Sequence, residues 1–227
     1  MNQRERISQI LSSLEQTEED LLDLSDDIWS SIDHNDAEEL EEGYQFKREY
    51  NEAMTEFAGV AEQLQRLISD FTKVQSDEEA TSADAEADAA EHERVIRELD
   101  RTESHSLDED FCHKRPYGFV FRGRAVKDLR TWRALYERAC KMVAELQGDD
   151  FDQVATADEF ATSRGNRMFA DSPDEMRTAY EVGRGVWAEM NLSANNIRDR
   201  IRELLEFFDY DWTEVRVYLR EDRDADG

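Results

Sequence analysis

Residues 50–71 read Tyr50-Asn-Glu-Ala-Met54-Thr-Glu-Phe57-Ala-Gly-Val-Ala61-Glu-Gln-Leu64-Gln-Arg-Leu-Ile68-Ser-Asp-Phe71. Tyr50, Phe57, Leu64 and Phe71 fall seven apart. Met54, Ala61 and Ile68 interleave four residues after each of the first three. A seven-residue apolar repeat keeps returning to one side of a helix, so the spacing predicts a coiled-coil seam. The same repeat runs upstream: Ile7, Leu14, Leu21 and Ile28 are seven apart. A second set, Ile10 and Leu24 with Thr17 and Ser31 as gaps, lies three residues on, and Leu11, Leu22, Trp29 and Ile32 widen the stripe.

His34-Asn35-Asp36 separates the two repeats. Asn35 tolerates the left-handed conformation that ends a helix. Asp36 can cap the next one, with Glu39 placed to reciprocate. Residues 1–75 are therefore expected to form two antiparallel helices joined by a short turn. Apolar positions outside each seam call for further partners. Homo-oligomerisation through these helices is the expectation, and packing on the rest of the same chain is the alternative.

Residues 76–105 read as an acidic joint. Residues 76–92 hold no large apolar side chain and cannot offset ordering entropy by burial. A short helix is expected over 91–103, with Val95, Ile96 and Leu99 on one side. Alternation begins after Pro116: Tyr117, Phe119 and Phe121 fall on one side of a strand, Gly118, Val120 and Arg122 on the other. Arg122-Gly123 is a tight-turn signal into a second strand, 124–127. A helix capped by Thr131 follows, with Trp132, Leu135, Tyr136, Ala139, Cys140, Val143 and Leu146 on its apolar face, ending at Gly148. The reading then gives strands at 167–170 and 186–190 around an Asp171-Ser-Pro-Asp174 turn. A helix capped by Ser193 and a final strand through Val215, Val217 and Leu219 complete it. The fold class is α+β: an N-terminal helical hairpin, then a small α+β domain (106–220) with two helices on a sheet, and an acidic tail (221–227).

Charge divides the chain in the same place. Its 227 residues hold 56 acids and 28 bases, net −28. Residues 1–110 carry 33 acids and 9 bases, whereas residues 111–227 carry 23 and 19. Only 5 bases are Lys, against 23 Arg. This acid-rich, Lys-poor composition resembles that of haloarchaeal cytoplasmic proteins, in which dense carboxylates keep the surface hydrated in molar salt. An acidic surface that mimics DNA is the rival reading of the same charge. No apolar run approaches the roughly 20 residues of a membrane span. The start of the chain lacks a signal peptide's apolar core, so a cytoplasmic location and no membrane partner are expected. Cys112 and Cys140 make neither a disulfide framework nor a zinc site, and are read as free thiols.

The stretches Arg115-Pro-Tyr-Gly-Phe-Val-Phe-Arg-Gly-Arg-Ala-Val126, Thr131-Trp-Arg-Ala-Leu-Tyr-Glu-Arg-Ala-Cys140, Arg167-Met-Phe-Ala-Asp-Ser-Pro-Asp-Glu-Met-Arg177 and Glu189-Met-Asn-Leu-Ser-Ala-Asn-Asn-Ile197 carry a resemblance. Together they are similar to an uncharacterised prokaryotic C-terminal domain family, with Asn191-Leu-Ser-Ala-Asn195 as the most specific string. In that family a coiled coil often precedes the domain, and some members accompany restriction or phage-defence genes. The resemblance covers roughly residues 111–220. It implies a nucleic-acid-related or defence-related process and supplies no catalytic residue.

Residues 113–141 are the chemical anomaly. Nine bases (Lys114, Arg115, Arg122, Arg124, Lys127, Arg130, Arg133, Arg138 and Lys141) face only Asp128 and Glu137, a local net of +7. Tyr117, Phe119, Phe121, Trp132 and Tyr136 interleave, and bases with aromatics suit single-stranded nucleic acid. Arg115, Arg122, Arg124, Lys127 and Arg130 are the candidate contact surface. Pairing of these bases with carboxylates of the same protein or of a partner is the competing reading. Asn191, Ser193 and Asn195 stand where a helix starts, a place that can hold an anion or simply cap the helix. Asp108, Asp110, Cys112 and His113 cluster in sequence, but no second ligand pair has metal spacing, so no metal and no cofactor are expected. His34, His92 and His105 are read as exposed. Glycine-rich phosphate loops, Gly-x-Ser-x-Gly and His-Glu-x-x-His are all missing. The reading is a non-enzymatic, oligomerising interaction protein whose C-terminal domain recognises a partner. The alternatives are a nucleic-acid-binding module proper and an acidic anti-restriction mimic of DNA.

Overall fold

The computed structural model describes residues 3–72, 89–161 and 167–220. The chain divides into two units, 1–83 and 84–227. The acidic segment 76–88 and the tail 221–227 lie outside the described residues.

The first unit is the helical hairpin: α1 (Gln3–Ser30) and α2 (Ala37–Thr72) run antiparallel. Three polar links set their register. Tyr50 donates its hydroxyl to the Leu21 carbonyl at 2.8 Å, Lys47 Nζ reaches Ser25 Oγ at 2.8 Å and Asp26 at 2.7 Å, and Gln65 Nε2 reaches Glu15 at 2.9 Å. Near the turn the helices approach closely, since a Cβ at Gly43 would lie 2.2 Å from Ile32 Cδ1.

Asp36 caps α2 as expected, accepting the Glu38 and Glu39 amides at 2.9 and 3.2 Å. Glu39 reaches back to the Asp33 amide at 3.1 Å. Asn35 does not take a left-handed conformation. Instead Asp33 closes the turn by accepting the Asn35 amide at 2.9 Å.

The seam departs from the seven-residue reading along its length. Met54 and Ala61 are buried and Tyr50 and Phe57 half-buried, but Leu64 and Phe71 stand in solvent. An unsupercoiled helix drifts by about 20° per heptad relative to a seven-residue row. A row that starts against α1 at Tyr50 has therefore rotated away from it by Phe71.

The second unit is α+β, with two antiparallel sheets where one was expected. Strands β1 (Ser104–His105), β2 (Pro116–Phe121), β3 (Arg124–Val126) and β7 (Arg216–Leu219) form the order β1-β7-β2-β3. Strands β4 (Phe169–Ala170), β5 (Ala179–Gly183) and β6 (Val186–Glu189) form β4-β6-β5. Helices α4 (Trp132–Gln147) and α5 (Ala194–Phe207) pack on one another, and α4 also packs on β2 and β5. Their shared core contains Phe119, Phe121, Trp132, Tyr136, Ile197 and Val217. The short helix expected in the joint is α3 (Ala89–Leu99). It covers the other face of the first sheet, where Val95 and Leu99 pack on Val120, Ala125 and Tyr218, so it belongs to this unit. No helix among the described residues is long and apolar enough to cross a membrane.

The caps read from sequence hold. Thr131 Oγ1 accepts the Ala134 amide at 3.1 Å, and Gly148 ends α4 at φ 63°. Arg122 and Gly123 both have positive φ (49° and 76°), as a two-residue hairpin turn of this hand requires. Arg184-Gly185 repeats the arrangement between β5 and β6. Between α4 and β5, Gly148–Ala155, Asp158–Phe160 and Pro173–Glu175 are 3-10 segments.

The expected alternation in β2 breaks at Tyr117. The β2–β7 register shifts between Pro116 and Gly118, which turns Tyr117 to the α3 side together with Val120. Gly118 faces α3 too, where a Cβ would lie 2.6 Å from Leu99 Cδ2 and 3.2 Å from the Val126 carbonyl. Gly118→Val should therefore destabilise the second unit by about 1–3 kcal/mol through overpacking, read as a lower urea midpoint at unchanged m-value.

Candidate functional site

The basic segment folds as the β2–β3 hairpin and most of α4, and Arg122, Arg124, Lys127 and Lys141 meet acids of the same unit. Arg124 pairs with Glu145. Lys127 Nζ lies 2.8 Å from Glu98 on α3 and 3.9 Å from Asp128. Its hydrogen bond to Glu98 raises the lysine pKa and lowers that of the glutamate. Arg122, at the hairpin tip, stacks 5.0 Å from the Tyr210 ring centre and reaches Glu214 at 3.9 Å. Arg115, Arg130 and Arg133 are engaged as well.

Lys141 closes a half-buried network at the junction of α4 and β5. It donates to Glu137 at 2.6 Å and to Tyr180 Oη at 3.1 Å, while Tyr180 donates to Glu137 at 2.8 Å. Burial alone would lower the Lys141 pKa, but its bonds to Glu137 and Tyr180 raise it overall. An open cleft of about 290 Å³ lies beside it, lined by Lys141, Glu145, Glu181 and Arg184 among others. Arg184 is itself paired with Asp149.

The interleaved aromatics divide as their periodicity predicts for a core. Phe119, Phe121, Trp132 and Tyr136 are fully buried, and Tyr117 is half-buried against α3. None of the four buried rings is free to stack on a base. Arg124 and Lys127 must first leave their carboxylates to meet a phosphate, so the net +7 of the sequence overstates the positive charge on offer.

Of the three residues at the start of α5, Ser193 and Asn195 are engaged structurally through their side chains, whereas the Asn191 side-chain oxygen is buried with no hydrogen-bond partner among the described residues. Ser193 caps the helix, accepting the Asn196 amide at 3.4 Å and its side-chain amide at 2.8 Å. Asn195 accepts the Phe111 amide at 2.9 Å and donates to Asp110 at 2.8 Å. Arg198 adds a bond to the Glu109 carbonyl at 2.8 Å. Together these fasten the 109–112 loop to α5. Asp110 also accepts the Cys112 amide at 2.9 Å, and these bonds hold its pKa below the usual carboxylate range. Asn191 is buried, and its backbone amide donates to Glu189 at 2.9 Å.

Glu189 is the residue that sequence reasoning missed. It is buried and accepts three backbone amides: Arg177 at 2.8 Å, Thr178 at 3.1 Å and Asn191 at 2.9 Å. A carboxylate already occupies the amides an anion would use here, and it would repel one. The signal was an acid in the otherwise apolar strand Val186-Trp-Ala-Glu189.

Cys140 is fully buried, and burial pushes its thiol far above the ordinary range, as expected of a small core residue rather than a ligand. Two histidines read as exposed are instead bonded: His92 accepts the Ala125 amide at 3.2 Å, and His105 lies 2.9 Å from Glu109.

Glu189→Gln puts an NH₂ where a carboxylate oxygen accepts amides. It should cost about 1–3 kcal/mol, measured by denaturant unfolding at pH 7, with the Arg177, Thr178 and Asn191 amides losing exchange protection first. No protein-family profile, no curated protein and no solved structure matches this chain.

Proposed function

We propose that this chain is an assembly and interaction protein rather than an enzyme. The hairpin joins it to other subunits, and the α+β unit is the recognition module that assembly brings together in more than one copy. One observation carries this reading. Every large apolar side chain that stands open to solvent among the described residues lies in the hairpin: Ile10, Leu24, Leu40, Tyr44, Val60, Leu64, Leu67 and Phe71. The α+β unit contributes none of them.

Scattered exposed apolar residues are ordinary on a monomer, but a contiguous apolar patch marks an interaction surface. A two-helix hairpin is also a small unit to stand alone, because each helix buries a single stripe. Assembly gives weak recognition modules avidity through effective concentration, which suits a C-terminal unit whose polar groups are largely engaged internally.

Sedimentation equilibrium of the full chain in molar potassium chloride tests the assembly. The expected mass exceeds that of one 26.5 kDa chain, and a strictly monomeric chain would remove this reading.

The nucleic-acid reading of residues 113–141 is the weaker one, because Arg124, Lys127 and Lys141 are paired with carboxylates and four of its large rings are buried. Labelled single- and double-stranded DNA and RNA, titrated by anisotropy over stepped salt, check it. We expect no binding at salts where the protein is folded. Binding that falls tenfold or more in Arg122→Asn/Arg124→Gln would reinstate that surface. Asn suits the left-handed turn at position 122, so this double variant should keep its fold.

A further inference from the structure

On α2, Ala53, Phe57, Val60, Leu64, Leu67 and Phe71 follow one another at alternating spacings of four and three residues. That is the spacing of a coiled-coil seam, and it lies beside the one that meets α1. Val60 is 55% exposed, Leu64 46%, Leu67 60% and Phe71 91%. In a chain with 56 acids among 227 residues, this row runs about five helical turns with no charged residue.

On α1, Ile10 (57% exposed), Thr17 and Leu24 (42%) make a second uncharged row. At 100° per residue, each row sits on the same flank of its helix relative to the residues that face the partner helix. In an antiparallel pair, like flanks of the two helices lie on one face, so both rows share one face of the hairpin. The link between Gln65 and Glu15 fixes the register and brings Ile10 level with Leu67 and Phe71. The gap position Thr17 is prepared for burial, since it donates its hydroxyl to the Ser13 carbonyl at 2.8 Å. It would carry little unmet hydrogen-bonding into an interface.

Outside the described residues the sequence holds only Met1 and Val74 as large apolar side chains, little to match a row of this length. We infer that the occupant is a second copy of the hairpin, seated face to face to make a four-helix bundle, and that this assembly tightens as salt concentration rises. The inference rests on the assembly reading above and names its partner and its regulation.

The salt dependence follows from charge. Residues 1–72 hold 19 acids and 5 bases, a net of −14 for each hairpin. Glu56 and Asp70 border the α2 row on its exposed side. Packed helices lie 8–10 Å apart. That is within the ~10 Å Debye length at 0.1 M salt but several times the ~3 Å length at 1 M. Repulsion between two hairpins therefore opposes the apolar contact in dilute salt and is screened in concentrated salt. Nucleic-acid binding carries the opposite sign, since it weakens with salt.

The test is sedimentation equilibrium of the full chain from 0.1 to 2 M potassium chloride, starting at the lowest salt where the circular dichroism spectrum is unchanged. The dimer dissociation constant should fall on the order of tenfold across that range. Glu56→Gln/Asp70→Asn should dimerise more tightly than the parent at the low-salt end and equally at the high-salt end. Leu64→Glu/Leu67→Glu, at exposed positions that leave the hairpin seam intact, should be monomeric throughout with unchanged ellipticity. A dimer that survives Leu64→Glu/Leu67→Glu would leave assembly standing and overturn this face. Affinity that is flat or falls with salt would overturn the regulation. A chain monomeric at every salt would overturn both this inference and the assembly reading beneath it.

Discussion

Strand β2 must be buried on both faces, and the second unit is organised around that requirement. Phe119 and Phe121 point into the core built with α4 and α5, while Val120 points the other way against α3. A strand polar on one face could have left that face in water. This one cannot, and the structure meets the demand with a helix, α3, recruited from what the sequence presents as an acidic joint. The register shift at Pro116–Gly118 turns Tyr117 to the same side. Gly118 then allows Leu99 to approach more closely than any side chain at that position would permit.

Where local chemistry decides, the sequence was legible. Thr131, Ser193 and Asp36 cap helices because a short side-chain oxygen at that point satisfies a free amide, and each does so here. Arg122-Gly123 turns where Gly tolerates positive φ. Legibility failed where the deciding partner is distant in sequence. Nothing near Val95 and Leu99 announces that Val120 and Tyr218 will cover them. Nothing near Glu189 announces that the Arg177 and Thr178 amides will converge on it. The hairpin seam was read correctly at Met54 and Ala61 and wrongly at Leu64 and Phe71, because the drift of a straight helix accumulates over successive heptads.

The candidate site teaches the same distinction. Local counting gives residues 113–141 a net of +7, but the compensating acids Glu98, Glu145 and Glu214 lie outside that window. Charge in a folded protein belongs to neighbours in space. The apolar face of the hairpin is the converse case. Its two rows lie on different helices, and only the antiparallel pairing of α1 with α2 shows that they share one surface.

The place of β7 also sets an order of events during synthesis. β7 sits between β1 and β2 in the first sheet, pairing Ser104 with Tyr218 and Phe119 with Val217. The sheet therefore cannot close until the last described strand has left the ribosome. The pairing of α1 with α2 joins segments within the first 72 residues and needs no such wait. Local contacts form early and distant ones late, so nascent chains on one messenger can expose a finished apolar face while their recognition units are still incomplete. Under the assembly proposed above, subunits that meet in this way are drawn from the same polysome, which favours pairing between products of a single transcript.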